Sequence, residues 1–170
     1  HAHKELNNGI EYSGGSLGLG VPFATGIALA NRIKKIQSNI FVLVGDGECD
    51  EGIVWESAMS ISNFNLSNVT IIVDKNKMQS DGEKAKIMNQ QDLGKKFESF
   101  GFDVTEFDGH NFKDILKALN KTSKQPKALI ANTIKGKGVN FMESNSDWHH
   151  GILNEKLYNE ALTSLEKNYG

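Results

Sequence analysis

With 170 residues, 19 Lys and Arg against 21 Asp and Glu, and a formal net charge of −2, the chain fits one domain with a core large enough to stand without disulfide staples. Its basic residues are scattered, apart from Arg32-Ile33-Lys34-Lys35 at what reads as a helix end, so no nucleic-acid footprint is visible. The single cysteine, Cys49, excludes an intrachain disulfide and suits a reducing compartment; nothing resembles a signal peptide or an apolar run long enough to cross a bilayer, and a soluble cytoplasmic protein is expected.

The chain opens on a polar stretch, His1 to Asn8, with no initiating Met. Gly14-Gly15-Ser16-Leu17-Gly18-Leu19-Gly20 then forms a glycine-rich loop that runs into the small apolar residues Val21 to Ala30. Such a loop at a helix N-terminus offers unobstructed amides to an anion, and Pro22 is acceptable only near that start. The plainer reading is that these glycines only permit close helix packing.

The apolar run Asn39 to Val44 predicts a buried strand ending in Gly45-Asp46-Gly47-Glu48, which leaves a carboxylate where open α/β sheets bind ligands. A helix is expected over about Gly52 to Phe64, with Asp50 or Glu51 favourable at its positive end. Val69 to Val73 is the next strand, and it ends in Asp74-Lys75-Asn76-Lys77-Met78. If the two strands are parallel neighbours, Asp46 and Asn76 can offer a carboxylate and an amide oxygen to one hard cation.

The polar segment Lys77 to Asn89 reads as an ordered loop at the site. A short helix over Asp92–Gly101, a strand over Phe102–Phe107, a helix over about Asn111–Thr122 and a strand over Lys127–Thr133 follow. His110, after a turn, reads as a capping or packing histidine. Lys135 and Lys137 are phosphate ligands or solvated loop charges, the second fitting Lys137 better. Asp147-Trp148-His149-His150-Gly151 carries two imidazoles but no Cys/His spacing for zinc, and an amphipathic helix over about Asn154–Lys167 closes the chain. Strands alternating with helices predict an α/β fold, a parallel sheet with helices on both faces. The order of the strands is not readable from this pattern.

Two runs carry a family resemblance: Gly45-Asp46-Gly47-Glu48-x-x-Glu51-Gly52-x-x-Trp55-Glu56 and Val73-Asp74-x-Asn76-x-x-Gln79-x-Asp81-Gly82. Together with Gly15-Ser16-Leu17-Gly18 and the Trp-His-Gly signature, they resemble the transketolase branch of thiamine-diphosphate enzymes. The resemblance covers nearly the whole chain and implies the diphosphate-binding domain of the thiamine-diphosphate fold, spanning 1–170. Members of that family carry further residues ahead of the matching point, so the chain reads as truncated or cropped at its N-terminus.

The resemblance implies that Asp46, Asn76 and the backbone carbonyl of Met78 hold Mg²⁺, with Ca²⁺ or Mn²⁺ as substitutes. It places Gly15, Ser16, Leu17, Gly45, Gly47 and Glu48 against the cofactor, with Leu17 packing on its rings. Glu51 falls in a carboxylate network at a subunit interface, although helix-dipole decoration is the bland alternative. His150 or His149 would touch the diphosphate and exchange protons near neutral pH; His149 fits by its distance from Trp148 and His150 by preceding Gly151. His1, or else His3, would face substrate. The family more often has Thr at position 14 and Gln or His at position 19, so Gly14 and Leu19 leave no side-chain hydrogen bond there.

The reaction so implied moves a two-carbon ketol unit from a ketose to an aldose, with a nucleophilic carbon supplied by the coenzyme. The glutamate that activates the coenzyme belongs to a pyrimidine-binding domain for which this sequence has no room. The expectation is therefore a split transketolase whose partner subunit completes the site in a hetero-oligomer acting on sugars or sugar phosphates. A 1-deoxyxylulose-5-phosphate synthase-like or 2-oxo acid decarboxylating enzyme is the alternative, and a noncatalytic thiamine-diphosphate-binding module the reading from another class.

Overall fold

The computed structural model describes residues 3–89 and 91–169. Helix α1, Gly20–Ile33, ends where Lys34 closes the last turn and Lys35 swings to a left-handed φ of 57°, matching the basic helix end anticipated from sequence. Strand β1, Ile40–Gly45, leads through a 3-10 turn, Glu48–Asp50, into α2, Gly52–Asn63. Strand β2, Val69–Lys75, follows.

The segment expected as loop instead folds as a small antiparallel hairpin, β3 Met78–Gln79 and β4 Gly82–Glu83, continued by the single-turn helix α3, Lys84–Ile87. Then come α4 Leu93–Ser99, β5 Asp103–Asp108, α5 Phe112–Leu119, β6 Lys127–Asn132 and α6 Glu155–Tyr169. Asp92 caps α4 by accepting from the Lys95 amide, and Asn111 caps α5 by accepting from Lys113 and Asp114. Each cap satisfies amides that the first turn leaves unpaired.

The main sheet has four parallel strands in the order β1-β2-β6-β5. Alternation along each strand sends Val42 and Val44, Ile71 and Val73, and Ala128 and Ile130 to one face. There they pack with Val21, Ala24 and Ala28 of α1, Val54, Ala58 and Ile61 of α2, and Leu93 and Phe97 of α4. Burying a side chain of this size stabilises by roughly 1.5–3 kcal/mol, and emptying the space of Phe97 would cost about 3–5 kcal/mol.

On the opposite face α5 packs against β5 and β6. Phe41 and Leu43, on the edge strand β1, are consequently 52% and 68% exposed. Helices thus flank both faces, but the second is covered over half its width. Helix α6 does not pack on the sheet in the same way: Ser164 donates to the Gly138 carbonyl and fixes it to the loop after β6.

Candidate functional site

The parallel register puts Gly45 beside Asp74, so β1 and β2 finish at the same edge. The Asp46 amide prolongs the ladder by donating to the Asp74 carbonyl at 3.0 Å. Beyond β2 the chain turns sharply at Lys77, whose φ of 63° is left-handed and uncommon for a residue with a Cβ. That conformation aims the Lys77 amide at Asp46, whose Oδ2 accepts it at 2.9 Å. The juxtaposition of Asp46 with the Asn76–Met78 turn expected from sequence is therefore present.

Asp46 is 2% exposed, and its second oxygen, Oδ1, is buried with no protein partner. Burial raises the carboxyl pKa; the Lys77 amide and the charge of Lys84 pull it back, while Asp74 pushes it up. An orphaned buried carboxylate oxygen is costly to keep. Asn76 is held on both sides: its Oδ1 accepts the Met78 amide at 2.9 Å, and its Nδ2 donates to Asp74 Oδ2 at 3.4 Å. Asp74 is itself fixed by the Thr133 hydroxyl. Among the described residues, no group of three or more His, Cys, Asp or Glu side chains is arranged around a common point, so a cation at Asp46 would draw on amide and carbonyl oxygens.

The glycine-rich loop meets this edge through Glu48. Its Oε1 accepts from Gly18 and its Oε2 from Gly45, both at 2.9 Å. Gly18 has a φ of 79°, and a Cβ there would lie 2.9 Å from Ile53 Cγ2, so the loop is seated against the start of α2. Gly15, Ser16 and Leu17 stand exposed, Leu17 at 56%. Helix α1 begins behind them with no side-chain cap. Gly47 lies under Gln79, whose Cγ would be 3.1 Å from an added Cβ.

Glu51 is exposed at the start of α2 and makes no cap bond through its side chain. Trp55 is a packing residue: its indole donates to the Cys49 carbonyl, and its ring lies 5.0 Å from that of Phe97. The Cys49 thiol, fully buried, is pushed up to about 12 by burial, with Asp46, Glu48 and Asp50 adding to the effect.

His149 ends a 3-10 turn, Ser146–His149, that lies against β3, and His150 follows it. Trp148 anchors this turn on Phe141, with ring centroids 5.1 Å apart. Gly151 is needed for that packing, because a Cβ there would approach the indole to 2.8 Å. His149 and His150 are both exposed; the His149 Nδ1 lies 3.4 Å from Lys135 Nζ, whereas His150 follows in extended conformation. Lys137 pairs with Glu143. His110 is structural, as expected: its Nε2 accepts the Ile134 amide at 2.8 Å. His3 is exposed, and His1 lies outside the described residues.

Sequence reasoning missed Lys84 and read Asp50 only as a favourable charge near the start of α2; the two form a nearly buried ion pair at 2.8 Å beside this site. No spacing announces a bond between a 3-10 turn and a hairpin end. The one available hint was an acid after the glycine motif and a lysine after Asp81-Gly82. A cavity of about 210 Å³ opens beside Asp46, with Lys75, Lys77 and Lys84 in its lining. A larger hollow of about 780 Å³, between α5 and β5, contains none of the predicted site residues.

Residues 1–170 match the family model described as the transketolase, thiamine diphosphate binding domain. The chain belongs to this family. It is 36% identical over 162 residues to one subunit of an apulose-4-phosphate transketolase from Phocaeicola vulgatus, covering 94% of this chain and 58% of the relative. It is also 36% identical over 170 residues to one subunit of a 6-deoxy-6-sulfo-D-fructose transketolase from a Clostridium species, covering 98% and 62%. The chain thus spans about three-fifths of the length of these curated relatives. Among solved structures, transketolase from Campylobacter jejuni superposes with a TM-score of 0.88 at 30% identity, over 96% of this chain and 27% of that one.

Proposed function

We propose that this domain holds the diphosphate end of thiamine diphosphate through a divalent cation, and that the protein transfers a two-carbon ketol unit between sugars. The observation carrying this reading is the buried Asp46 Oδ1, which lacks a protein partner while its twin oxygen is fixed by the Lys77 amide. A hard cation would relieve that orphan, and an oxygen-only donor set of carboxylate, amide and backbone carbonyl suits Mg²⁺ better than a thiophilic metal.

Asp46, Asn76 and the carbonyl of Met78 would hold the ion. The exposed loop residues Gly15–Leu17, and the start of α1 behind them with no side-chain cap, favour a diphosphate. When bound, thiamine diphosphate supplies the nucleophilic carbon of the reaction. This chain's own contribution is to anchor that cofactor, to pack Leu17 against it, and to place an imidazole at residues 149–150 where a proton can be exchanged with substrate. Glu51, exposed beside the site, is suited to contact with another subunit.

Relatives whose names mark them as single subunits of a transketolase favour a partner chain that carries the pyrimidine-binding half, with the pair acting in the cytoplasm on sugars or sugar phosphates. The test is calorimetric titration of full-length protein with thiamine diphosphate, with and without Mg²⁺, followed by assay of glycolaldehyde-unit transfer once the partner chain is added. Mg²⁺-dependent binding followed by partner-dependent transfer is expected. Binding that ignores Mg²⁺ would refute the metal assignment, and binding with no transfer in the complete complex would reduce the domain to a cofactor-holding module.

A further inference from the structure

Lys84 is only 7% exposed, and a cation taken that far from water persists only with compensating partners. Its Nζ donates to Asp50 Oδ1 at 2.8 Å and to the Met88 carbonyl at 3.4 Å. The other oxygen of Asp50 accepts from the Gln79 side-chain Nε2 at 2.7 Å. One carboxylate therefore grips the hairpin at both strands, through Gln79 on β3 and through the residue that follows β4.

These bonds close a circuit through the proposed metal site. Asp46 accepts from the Lys77 amide, and the Lys77 carbonyl accepts from the Lys84 amide at 2.9 Å. Lys84 then returns through Asp50 and the short Gly47–Cys49 segment to Asp46 itself. The left-handed turn at Lys77, with its uncommon backbone conformation, is thus held shut from the far side of the hairpin. Gly47 lies close beneath Gln79, whose Cγ would stand 3.1 Å from an added Cβ, so the two halves of the circuit are also in contact.

We propose that Asp50 and Lys84 are positioning residues for the cation site: their ion pair clamps the Lys77–Met78 turn against Asp46 and presets the oxygen donors for the metal. This rests on the reading of Asp46, Asn76 and Met78 as cation ligands. The pair acts by limiting how far the turn can move away from Asp46.

The experiment compares Mg²⁺ affinity in full-length parent protein with that of Lys84→Met and Asp50→Asn, at saturating thiamine diphosphate, alongside thermal unfolding without metal. Ile61→Val, a core change at the far end of α2, serves as the control for lost stability alone. Lys84→Met is expected to weaken Mg²⁺ about tenfold, with thiamine diphosphate binding restored by excess Mg²⁺, while Ile61→Val lowers the melting temperature and leaves Mg²⁺ affinity unchanged. Asp50→Asn should shift the affinity in the same direction and decides the matter if Lys84→Met does not fold. Unchanged Mg²⁺ affinity in both variants, or an equal loss in Ile61→Val, would overturn the clamp. A parent protein that shows no Mg²⁺-dependent binding would instead overturn the underlying site assignment.

Discussion

Glu48 reaches across the sheet edge to Gly18, accepting its amide at 2.9 Å with one carboxylate oxygen while the other takes the amide of Gly45. The bond joins the glycine-rich loop to the end of β1, the two segments proposed to meet the diphosphate. Hydrogen bonds to a charged group are typically worth about 1.5–3 kcal/mol, enough to fix the loop before any ligand arrives. Glu48→Ala is expected to weaken thiamine diphosphate binding about tenfold at saturating Mg²⁺, as measured by calorimetry. Unaltered affinity would mean that the loop holds its shape without this brace.

Asp46→Asn separates stability from function. Because burial raises the Asp46 pKa above the ordinary 3.8, the folded chain binds more protons than the unfolded one between 3.8 and the raised value. Metal-free protein should therefore gain stability as pH falls through that window, and carry the full burial penalty above it. Asp46→Asn removes the charge but keeps an acceptor for the Lys77 amide. Its metal-free melting temperature at pH 7 should rise by about 2–4 °C for each kcal/mol relieved, with the pH dependence flattened and Mg²⁺-dependent cofactor binding lost. A fall in melting temperature, or retained Mg²⁺ dependence, would contradict the assignment of Asp46.

The glycines divide by geometry. Gly18→Ala places a methyl 2.9 Å from Ile53 Cγ2 at a φ of 79° and should cost about 1–3 kcal/mol. Gly26→Ala, on an open stretch of α1 with nothing within 4 Å, should instead stabilise by about 0.5–1 kcal/mol. Denaturant unfolding of the two variants should show these opposite signs; matching signs would mean that crowding at Gly18 does not govern its loop.

The two adjacent imidazoles are distinguishable by their surroundings. His149 is engaged with Lys135 at 3.4 Å, and His150 stands exposed beyond the end of the 3-10 turn. In the complete complex, His150→Ala should lower kcat by at least about a hundredfold, the lower range of acid–base contributions, while His149→Ala stays within about tenfold. Steady-state kinetics with the order reversed would assign the role to His149.

The strands and the edge they share were legible because β-branched runs such as Val69–Val73 can bury both faces only in a covered parallel sheet. Given parallel neighbours, the meeting of Asp46 with the Asn76 turn followed. The order β1-β2-β6-β5 was not legible, since each strand presents much the same apolar pattern. Nor was the exposure of Phe41 and Leu43: their alternation announces a buried face, and nothing local says that α5 settles over β5 and β6 instead of β1. The 77–89 segment read as polar loop because its order comes from distant bonds, Lys84 to Asp50 and Gln79 to Asp50, rather than from periodicity. Glu48 was recognised by position, but its work on two backbone amides depends on how far the Gly18 loop is folded back.

The paired register of β1 and β2, residue against residue from Ile40 and Val69 to Gly45 and Asp74, makes the site a matter of length as well as composition. Inserting or deleting a single residue inside either strand would invert every later side chain in that strand and swing Asp46 or the Asn76 turn to the wrong side. The exposed connection from Lys34 to Gln37 carries no such constraint, so changes in chain length belong there and not between Ile40 and Asp46.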